Sequence, residues 1–291
     1  SGSFGMVCTA RATGSGADGD LVAIKILRPV STRSDDIDTV LQFETEASQL
    51  QQQGNHQNIA RFLKRDKVNP STLSKDLLNK MDCRISGVGK KHSIDDCDEM
   101  PEGFTFPTGE IQYMVGEYYP DGNLEEWIEE EYVGEQLTLV DKLDICIGIA
   151  TGVCWIQGSP PDPALVHQDL KPKNIYMKDL IPKIGDFGIS LEEGHVSGFA
   201  TREWADPKQA NGEKADFRFD QYSFGGIVFW VFTYEKPFIK NTEGKFIKRE
   251  DWNLLCRDKN VPDEVAAVIQ KCTEQQLDKR YKDFEEVING L

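Results

Sequence analysis

The chain has 291 residues, with 33 Lys or Arg and 49 Asp or Glu, and its net charge is −16 at pH 7. Its length suggests two domains or one domain in two lobes, and its 39% of apolar residues exclude a wholly disordered protein. The negative charge argues against nucleic acid or an anionic membrane as the main partner. No run approaches the roughly 18 apolar residues of a membrane span, and the N-terminus does not resemble a signal peptide. Seven cysteines without a CxxC pair indicate reduced thiols in the cytoplasm.

The first part of the chain predicts strands and one helix. Residues 1–7 are rich in glycine, and the apolar run 21–27 contains one lysine, which is typical of a buried strand. The stretch 14–20 between them predicts a hairpin turn. Apolar residues recur at helical spacing over 36–53, and Gly54 is a suitable stop for that helix.

The remainder predicts a mainly helical part. Residues 66–108 are charged and without a sustained period, so they are interpreted as an inserted loop. Residues 111–117 predict a strand. Helices are predicted for 124–131, 139–157 and 220–233, the last of them apolar on most sides and therefore buried, and two short helices for about the last 30 residues.

Several short motifs follow one another along the chain. The run 167–174 reads His-Gln-Asp-Leu-Lys-Pro-Lys-Asn, and Asp-Phe-Gly follows at 186–188. Upstream lie the glycine turn, Val-Ala-Ile-Lys at 22–25, and a helix that contains Glu46. This set resembles the protein kinase family, whose catalytic motifs occur in this order. The Asp-Leu-Lys-Pro-Lys-Asn form is similar to that of the Ser/Thr kinases.

The resemblance implies an α+β bilobal kinase fold. A small N-lobe with an antiparallel sheet and one helix would span 1–117, with its first strand truncated and a charged insertion at about 66–108. A hinge would span 118–122, and a larger, mainly helical C-lobe would span 123–291.

Lys25 lies in a predicted buried strand, where a lysine is costly unless it is paired. Two glutamates of the following helix are candidates for that pairing. Glu46 shares a helical face with Phe43 and Leu50, whereas Glu44 points about a quarter-turn away, so Glu46 is favoured. In the family this pair holds the α- and β-phosphates of ATP.

The resemblance also assigns roles to four residues of the C-lobe. Asp169 would accept the proton of the substrate hydroxyl, and Lys171 would contact the γ-phosphate. Asn174 and Asp186 would hold Mg²⁺ (or Mn²⁺), for which carboxylate and amide oxygens are suitable ligands. His167 is expected to be a packed residue.

A glycine turn lets backbone N–H groups approach phosphates without obstruction by side chains. The implied nucleotide-binding residues are Gly2, Gly5, Val7, Ala23, Lys25, Glu117, Tyr119 and Tyr176.

Two positions depart from the family pattern. Gln168 replaces the arginine that usually precedes the catalytic aspartate and pairs with a phosphorylated activation loop. The loop hydroxyls are those of Ser190, Ser197 and Thr201, and activity is expected not to depend strongly on their phosphorylation.

The second departure is Lys208, where the family has a glutamate that pairs with a late arginine, here Arg280. Two alternatives stay open at this point. Either Asp206 takes over the pair, or the local structure differs.

These observations predict a cytoplasmic, ATP-dependent protein serine/threonine kinase with a protein substrate and neither a nucleic-acid partner nor a membrane span. One alternative is a pseudokinase that binds nucleotide as a scaffold, because of Gln168 and Lys208. Another is a kinase-like enzyme that phosphorylates a small molecule. The insertion 66–108 is a candidate site for a regulatory partner, and together with the segment 122–128 it gives a weak similarity to the kinases of the alpha subunit of translation initiation factor 2.

Overall fold

The structure is a computed structural model that describes residues 5–11, 21–27, 34–69, 72, 110–129, 137–158, 165–195 and 203–291. The chain divides into two compact units. The first consists of 1–47 and 62–118, and the second of 48–61 and 119–291. This division differs from the predicted boundary at 117 mainly in the segment 48–61, which groups with the second unit.

The first unit contains an antiparallel sheet of four strands in the order β1-β2-β4-β3. The strands are β1 (Gly5–Arg11), β2 (Leu21–Leu27), β3 (Phe62–Val68) and β4 (Ile111–Glu117). The register pairs Lys25 of β2 with Val7 and with Met114 on either side. Both apolar runs recognised in the sequence, 21–27 and 111–117, are therefore strands, and β2 is an inner one.

The helix α1 (Ser34–Gln53) lies mostly in this unit, and its predicted apolar stripe is largely buried. Phe43 and Ala47 pack with Leu27 and Met114 of the sheet in one buried cluster. Gly54 follows the helix with a φ of 63°, a left-handed conformation that a glycine adopts without steric cost. The predicted stop of this helix is confirmed.

The second unit is mainly helical. Its longest helices are α3 (Leu139–Gly158) and α5 (Arg218–Thr233), and nearly every residue of α5 is buried, as its apolar sequence predicts. The remaining helices are α2 (Leu124–Glu129), α4 (Pro207–Ala210), α6 (Trp252–Asp258), α7 (Asp263–Cys272) and α8 (Phe284–Gly290). The predicted α+β fold class is confirmed.

Three small antiparallel ladders complete the second unit. They pair β5 (Leu165–Val166) with β8 (Leu191–Glu192), β6 (Ile175–Lys178) with β7 (Ile181–Ile184), and β9 (Phe238–Lys240) with β10 (Phe246–Lys248). Strands of two to four residues are too short for a periodic pattern to indicate them. The helix α6 was not predicted either.

Some sequence predictions fall outside the described residues. These are Gly2, the turn at 14–20, Ser197, Thr201 and almost all of the insertion 66–108. Residues 66–68 belong to β3, so the insertion begins later than predicted. In the described part of the chain, no helix is long and apolar enough to cross a membrane.

Candidate active site

Lys25 and Glu46 form an ion pair within the first unit. The Lys25 Nζ donates to Glu46 Oε2, and the glutamate is buried while the lysine is largely so. Glu44 instead lies 3.7 Å from Arg65, and both of those side chains are half exposed. The structure thus brings together the two residues that helical spacing selected, and their proposed role toward phosphate stays a prediction.

The segment 167–174 of the second unit surrounds the carboxylate of Asp169. Lys171 Nζ lies 2.7 Å from Asp169 Oδ2, and Asn174 Nδ2 donates to the same oxygen at 3.0 Å and to the Asp169 carbonyl at 2.8 Å. The other carboxylate oxygen, Oδ1, is buried and accepts no hydrogen bond from the described residues. One oxygen is therefore held by two side chains, and the other has no hydrogen-bond partner among the described residues.

The backbone before Asp169 is held by Asp220 of α5. Its Oδ2 accepts the N–H of His167 at 2.9 Å, and its Oδ1 accepts the N–H of Gln168 at 2.9 Å. Gln157 Nε2 donates to Oδ2 at 3.1 Å. Burial raises the pKa of Asp220, while the proximity of His167 and the hydrogen bonds from these three residues oppose that rise.

The hairpin of β6 and β7 brings the Asp186 segment to the Asp169 segment. Ile175 pairs with Ile184, and the Gly185 N–H donates to the Asn174 carbonyl at 2.9 Å. The Nε2 of His167 lies 3.1 Å from the Gly185 carbonyl, and its ring packs against Phe187 with 4.9 Å between centroids. His167 is accordingly a packed residue whose ring joins the two motifs.

The residues expected to hold a divalent cation fit that role chemically. Asn174 is buried and directs its amide nitrogen to Asp169, so its amide oxygen is the atom left for a cation. Asp186 has a φ of 61°, a conformation that is costly for a residue other than glycine and that is often retained at functional sites. Oxygen atoms from a carboxylate and an amide match Mg²⁺.

Tyr119 and Tyr176 form a stacked pair, with ring centroids 5.5 Å apart and 12° between planes. The Tyr119 hydroxyl accepts the N–H of Arg61 at 2.7 Å. A Cβ at Gly185 would lie 2.7 Å from the ring of Tyr176, so the glycine before Asp186 makes room for this tyrosine. Tyr176 is thereby fixed between an aromatic ring and the aspartate motif.

The other predicted nucleotide residues described here belong to the sheet of the first unit. Gly5 pairs with Leu27, and Val7 of β1 is exposed. Ala23 of β2 pairs with Gly116 of β4, and Glu117 is the last residue of β4. Their contact with a nucleotide stays a prediction.

Asp206 is the charge partner of Arg280, which is the first of the two alternatives that the sequence left open. Arg280 Nη2 lies 2.5 Å from Asp206 Oδ2, and both side chains are 1% exposed. Lys208 instead reaches Glu213 at 3.5 Å, near the surface. Asp206 therefore takes over the pairing, and Lys208 does not face Arg280 as a like charge.

Two polar residues near Asp169 were not assigned such contacts from the sequence. The sequence marks Ser190 only as a loop hydroxyl, yet it is buried and donates to the His167 carbonyl at 3.2 Å. Gln209 of α4 is buried and donates to the Gln168 carbonyl at 2.6 Å. No local pattern marks either residue, because their partners lie 23 and 41 positions away.

A family model described as protein tyrosine and serine/threonine kinase matches residues 102–291. This is more than half of the 291 residues, and the chain belongs to the protein kinase family. The family predicted from the motifs is confirmed.

Its relatives include receptor-like and bacterial kinases. Cysteine-rich receptor-like protein kinase 42 of Arabidopsis thaliana is 31% identical over 155 residues, which are 50% of this chain and 23% of the relative. A probable LRR receptor-like serine/threonine-protein kinase of the same plant is 29% identical over 160 residues, or 51% and 16%. A probable serine/threonine-protein kinase of Streptomyces coelicolor is 26% identical over 190 residues, or 61% and 27%. In eight of the curated relatives that it matches, the chain spans between 9% and 28% of the relative's length.

Proposed function

We propose that the chain is the catalytic domain of a protein serine/threonine kinase, which transfers the γ-phosphate of ATP to a Ser or Thr hydroxyl of a protein. The observation that carries this proposal is the carboxylate of Asp169 in a chain of the kinase family. Its Oδ2 is held by Lys171 and Asn174, while its Oδ1 is buried and without a partner among the described residues.

A carboxylate whose orientation is held in this way suits a general base. The substrate hydroxyl donates to the Asp169 carboxylate, and its oxygen attacks the γ-phosphorus. A P–O bond forms to the substrate, the P–O bond to ADP breaks, and the proton passes to the Asp169 carboxylate. Because Lys171 and Asn174 fix Oδ2, the carboxylate keeps its orientation while the hydroxyl approaches.

Phosphoryl transfer depends mostly on positioning and on neutralising charge. Lys25, oriented by Glu46, is proposed to bind the α- and β-phosphates, and Lys171 to contact the γ-phosphate. Asn174 and Asp186 would hold Mg²⁺, which supplies positive charge to the phosphates when bound. The stacked pair of Tyr119 and Tyr176 offers an aromatic surface suited to a purine.

The acceptor class follows from the family and from the Ser/Thr kinases among the relatives. The cytoplasmic location and the regulatory partner for 66–108 remain predictions. The pseudokinase and the small-molecule kinase are the two alternatives that an experiment has to separate.

The test compares wild type with Asp169→Asn, which keeps the shape of the side chain but removes the base. Phosphate transfer from labelled ATP and Mg²⁺ to a protein mixture is measured, and the modified amino acids are identified. We expect phosphoserine or phosphothreonine from wild type and a loss of at least about a hundredfold in the variant. The matched control is Asp179→Asn, because Asp179 is an exposed aspartate of the β6–β7 turn.

Three results would contradict the proposal. Nucleotide-dependent thermal stabilisation without any transfer by wild type indicates a scaffold. Transfer to a panel of small molecules but not to proteins indicates the other alternative. Full activity of Asp169→Asn removes Asp169 from the reaction.

A further inference from the structure

Two buried glutamines meet beside the catalytic segment. Gln168 is 2% exposed and Gln209 is 5% exposed, and their contact is a hydrogen bond of 2.6 Å to the Gln168 carbonyl oxygen. A carbonyl only accepts hydrogen bonds, so the amide nitrogen of Gln209 is the atom that faces it. The contact joins α4 to the residue directly before Asp169.

The backbone of Gln168 needs such support. Its φ of 65° is a left-handed conformation that is unfavourable for a residue with a side chain. Such a conformation persists only where the surroundings hold it in place. Here the N–H of Gln168 is bound by Asp220 of α5, and its carbonyl is bound by Gln209 of α4.

Holding this carbonyl also orients Asp169. The Gln168 carbonyl and the Asp169 N–H belong to one planar peptide unit, so a constraint on the oxygen fixes the plane that leads into the Asp169 Cα. The N–H end of the same unit lies 3.3 Å from His167 Nδ1. Both ends of this peptide are therefore fixed by side chains.

Gln209 is itself firmly anchored. Asp206 caps α4 by accepting the Lys208 N–H at 2.7 Å, and the same carboxylate pairs with the buried Arg280. A short helix of this kind presents the Gln209 amide at a fixed place. The helix α4 is thus linked to the peptide before the catalytic aspartate through one side-chain amide.

We infer that Gln209 is a positioning residue for Asp169, which rests on the proposed kinase function. It does not touch the reacting groups. It fixes the peptide before Asp169 in the orientation that directs the carboxylate to the substrate hydroxyl, in a chain in which Gln168 stands where the family has an arginine.

The test uses Gln209→Met, which keeps the size of the side chain and removes the donor. The matched control is Gln221→Met, because Gln221 is also buried and also donates to a distant carbonyl, that of Tyr281 at 3.0 Å. Asp169→Asn serves as the reference for a lost base. We expect Gln209→Met to lower kcat about tenfold or more with the KM for ATP unchanged, while Gln221→Met stays within about twofold of wild type.

A second variant, Gln209→Glu, separates the hydrogen bond from packing. A protonated carboxyl can donate to the Gln168 carbonyl, and a carboxylate cannot. The kcat of Gln209→Glu relative to wild type should therefore rise as the pH falls from 9 to 6, whereas that of Gln209→Met should not. Equal kcat for the Glu and Met variants at every pH overturns the inference.

Amide hydrogen exchange tests the positioning role of Gln209 without a measurement of kinase activity. Gln209→Met should speed exchange of the amides of 167–170, and Gln221→Met should not. If wild type transfers phosphate and Asp169→Asn does not, the proposed function stands, and unchanged kcat and exchange in Gln209→Met overturn this inference alone. If wild type transfers no phosphate, the proposed function fails, and the exchange result still shows whether Gln209 holds the segment.

Discussion

Asp206 and Arg280 are both almost completely buried, and each is the other's charge partner. Arg280 also donates to the carbonyls of Glu274 and Arg218 at 2.8 and 2.7 Å. Burial raises the pKa of Asp206, and the guanidinium of Arg280 opposes that rise. A pair of this kind is costly to break, because the remaining charge has no water to replace its partner.

Arg280→Met should therefore lower the free energy of unfolding by about 3–5 kcal/mol, measured by urea denaturation. The control is Lys245→Met, which removes an exposed pair with Glu243 and should cost less than about 1 kcal/mol. A loss for Arg280→Met as small as that of the control would show that the Asp206 pair contributes little.

His56 is a second residue whose charge state depends on its neighbours. Its ring stacks on Trp155 with 4.9 Å between centroids, and its Nδ1 accepts the Asn58 N–H at 3.2 Å. Burial, and secondarily the charge of Lys183, lower the pKa of His56. Protonation would remove the acceptor and place two positive charges near each other.

The pH dependence follows from that direction. The folded-state pKa of His56 is below the ordinary value of 6.5, so on acidification the unfolded chain binds the proton at a higher pH than the folded chain does. The stability that neutral His56 contributes is therefore lost as the pH falls below 6.5. We expect His56→Phe to reduce the drop in unfolding free energy between pH 7.5 and 5.5, and to cost about 1 kcal/mol at pH 7.5 for the lost acceptor.

The same substitution at His195, which is exposed, is the control for the intrinsic effect of removing a histidine. A pH-dependent drop in His56→Phe that equals the drop in wild type would mean that His56 does not contribute to it.

At the scale of elements, α3 is positioned by two glycines that face the segment 58–60 and β7. A Cβ at Gly148 would lie 2.7 Å from Pro182, and a Cβ at Gly152 would lie 2.8 Å from Ile184 and 2.9 Å from the Asn58 carbonyl. Glycine is unfavourable within a helix by about 1 kcal/mol. Glycine at these two positions therefore allows α3 to lie close to Asn58 and β7.

Gly152→Ala should destabilise the protein by about 1–3 kcal/mol in spite of the better helix propensity, because backbone atoms block the new methyl group. Gly158→Ala, at the end of the same helix, meets nothing within 4 Å and should be neutral or slightly stabilising. Thermal and urea denaturation of both variants provides the measurement. Equal stability of the two would show that α3 shifts at no cost.

Elements with a clear apolar pattern were predictable, including the short helices α2, α7 and α8, whereas β3 and the strands of two to four residues were not. β2 and β4 agree with the predicted ranges, and α1, α3 and α5 begin within two residues of them. Their apolar patterns reflect burial, which involves one face of α1 and nearly every residue of α5. The ladder of β9 and β10 has three residues in each strand, so its pairing depends on the packing of Phe238 against Tyr222 and Trp252 rather than on a period.

At the scale of the whole molecule, the net charge of −16 is the property most relevant to partners. A strongly negative protein attracts positively charged substrates over a distance of about a Debye length, and salt screens that attraction. The effect acts mainly on the rate of encounter.

We expect kcat/KM for a Ser-containing peptide rich in Lys and Arg to fall roughly tenfold between 0.05 and 0.5 M NaCl. A peptide with the same acceptor and neutral flanking residues should change little, since it has no charge to attract. Parallel salt titrations of the two peptides make the comparison. A similar fall for both would indicate an effect of salt on the enzyme instead of on encounter.

The sequence by itself determined the family, the α+β class and the choice of Glu46 over Glu44 as the partner of Lys25. The family and the class depend on the order of short motifs along the chain, and the choice of Glu46 depends on the period of one helix, all of which a linear pattern records. Only the tertiary structure decided that Asp206 pairs with Arg280 and that Gln209 binds the Gln168 carbonyl. Those contacts join residues 74 and 41 positions apart, and burial that removes competing water makes them specific.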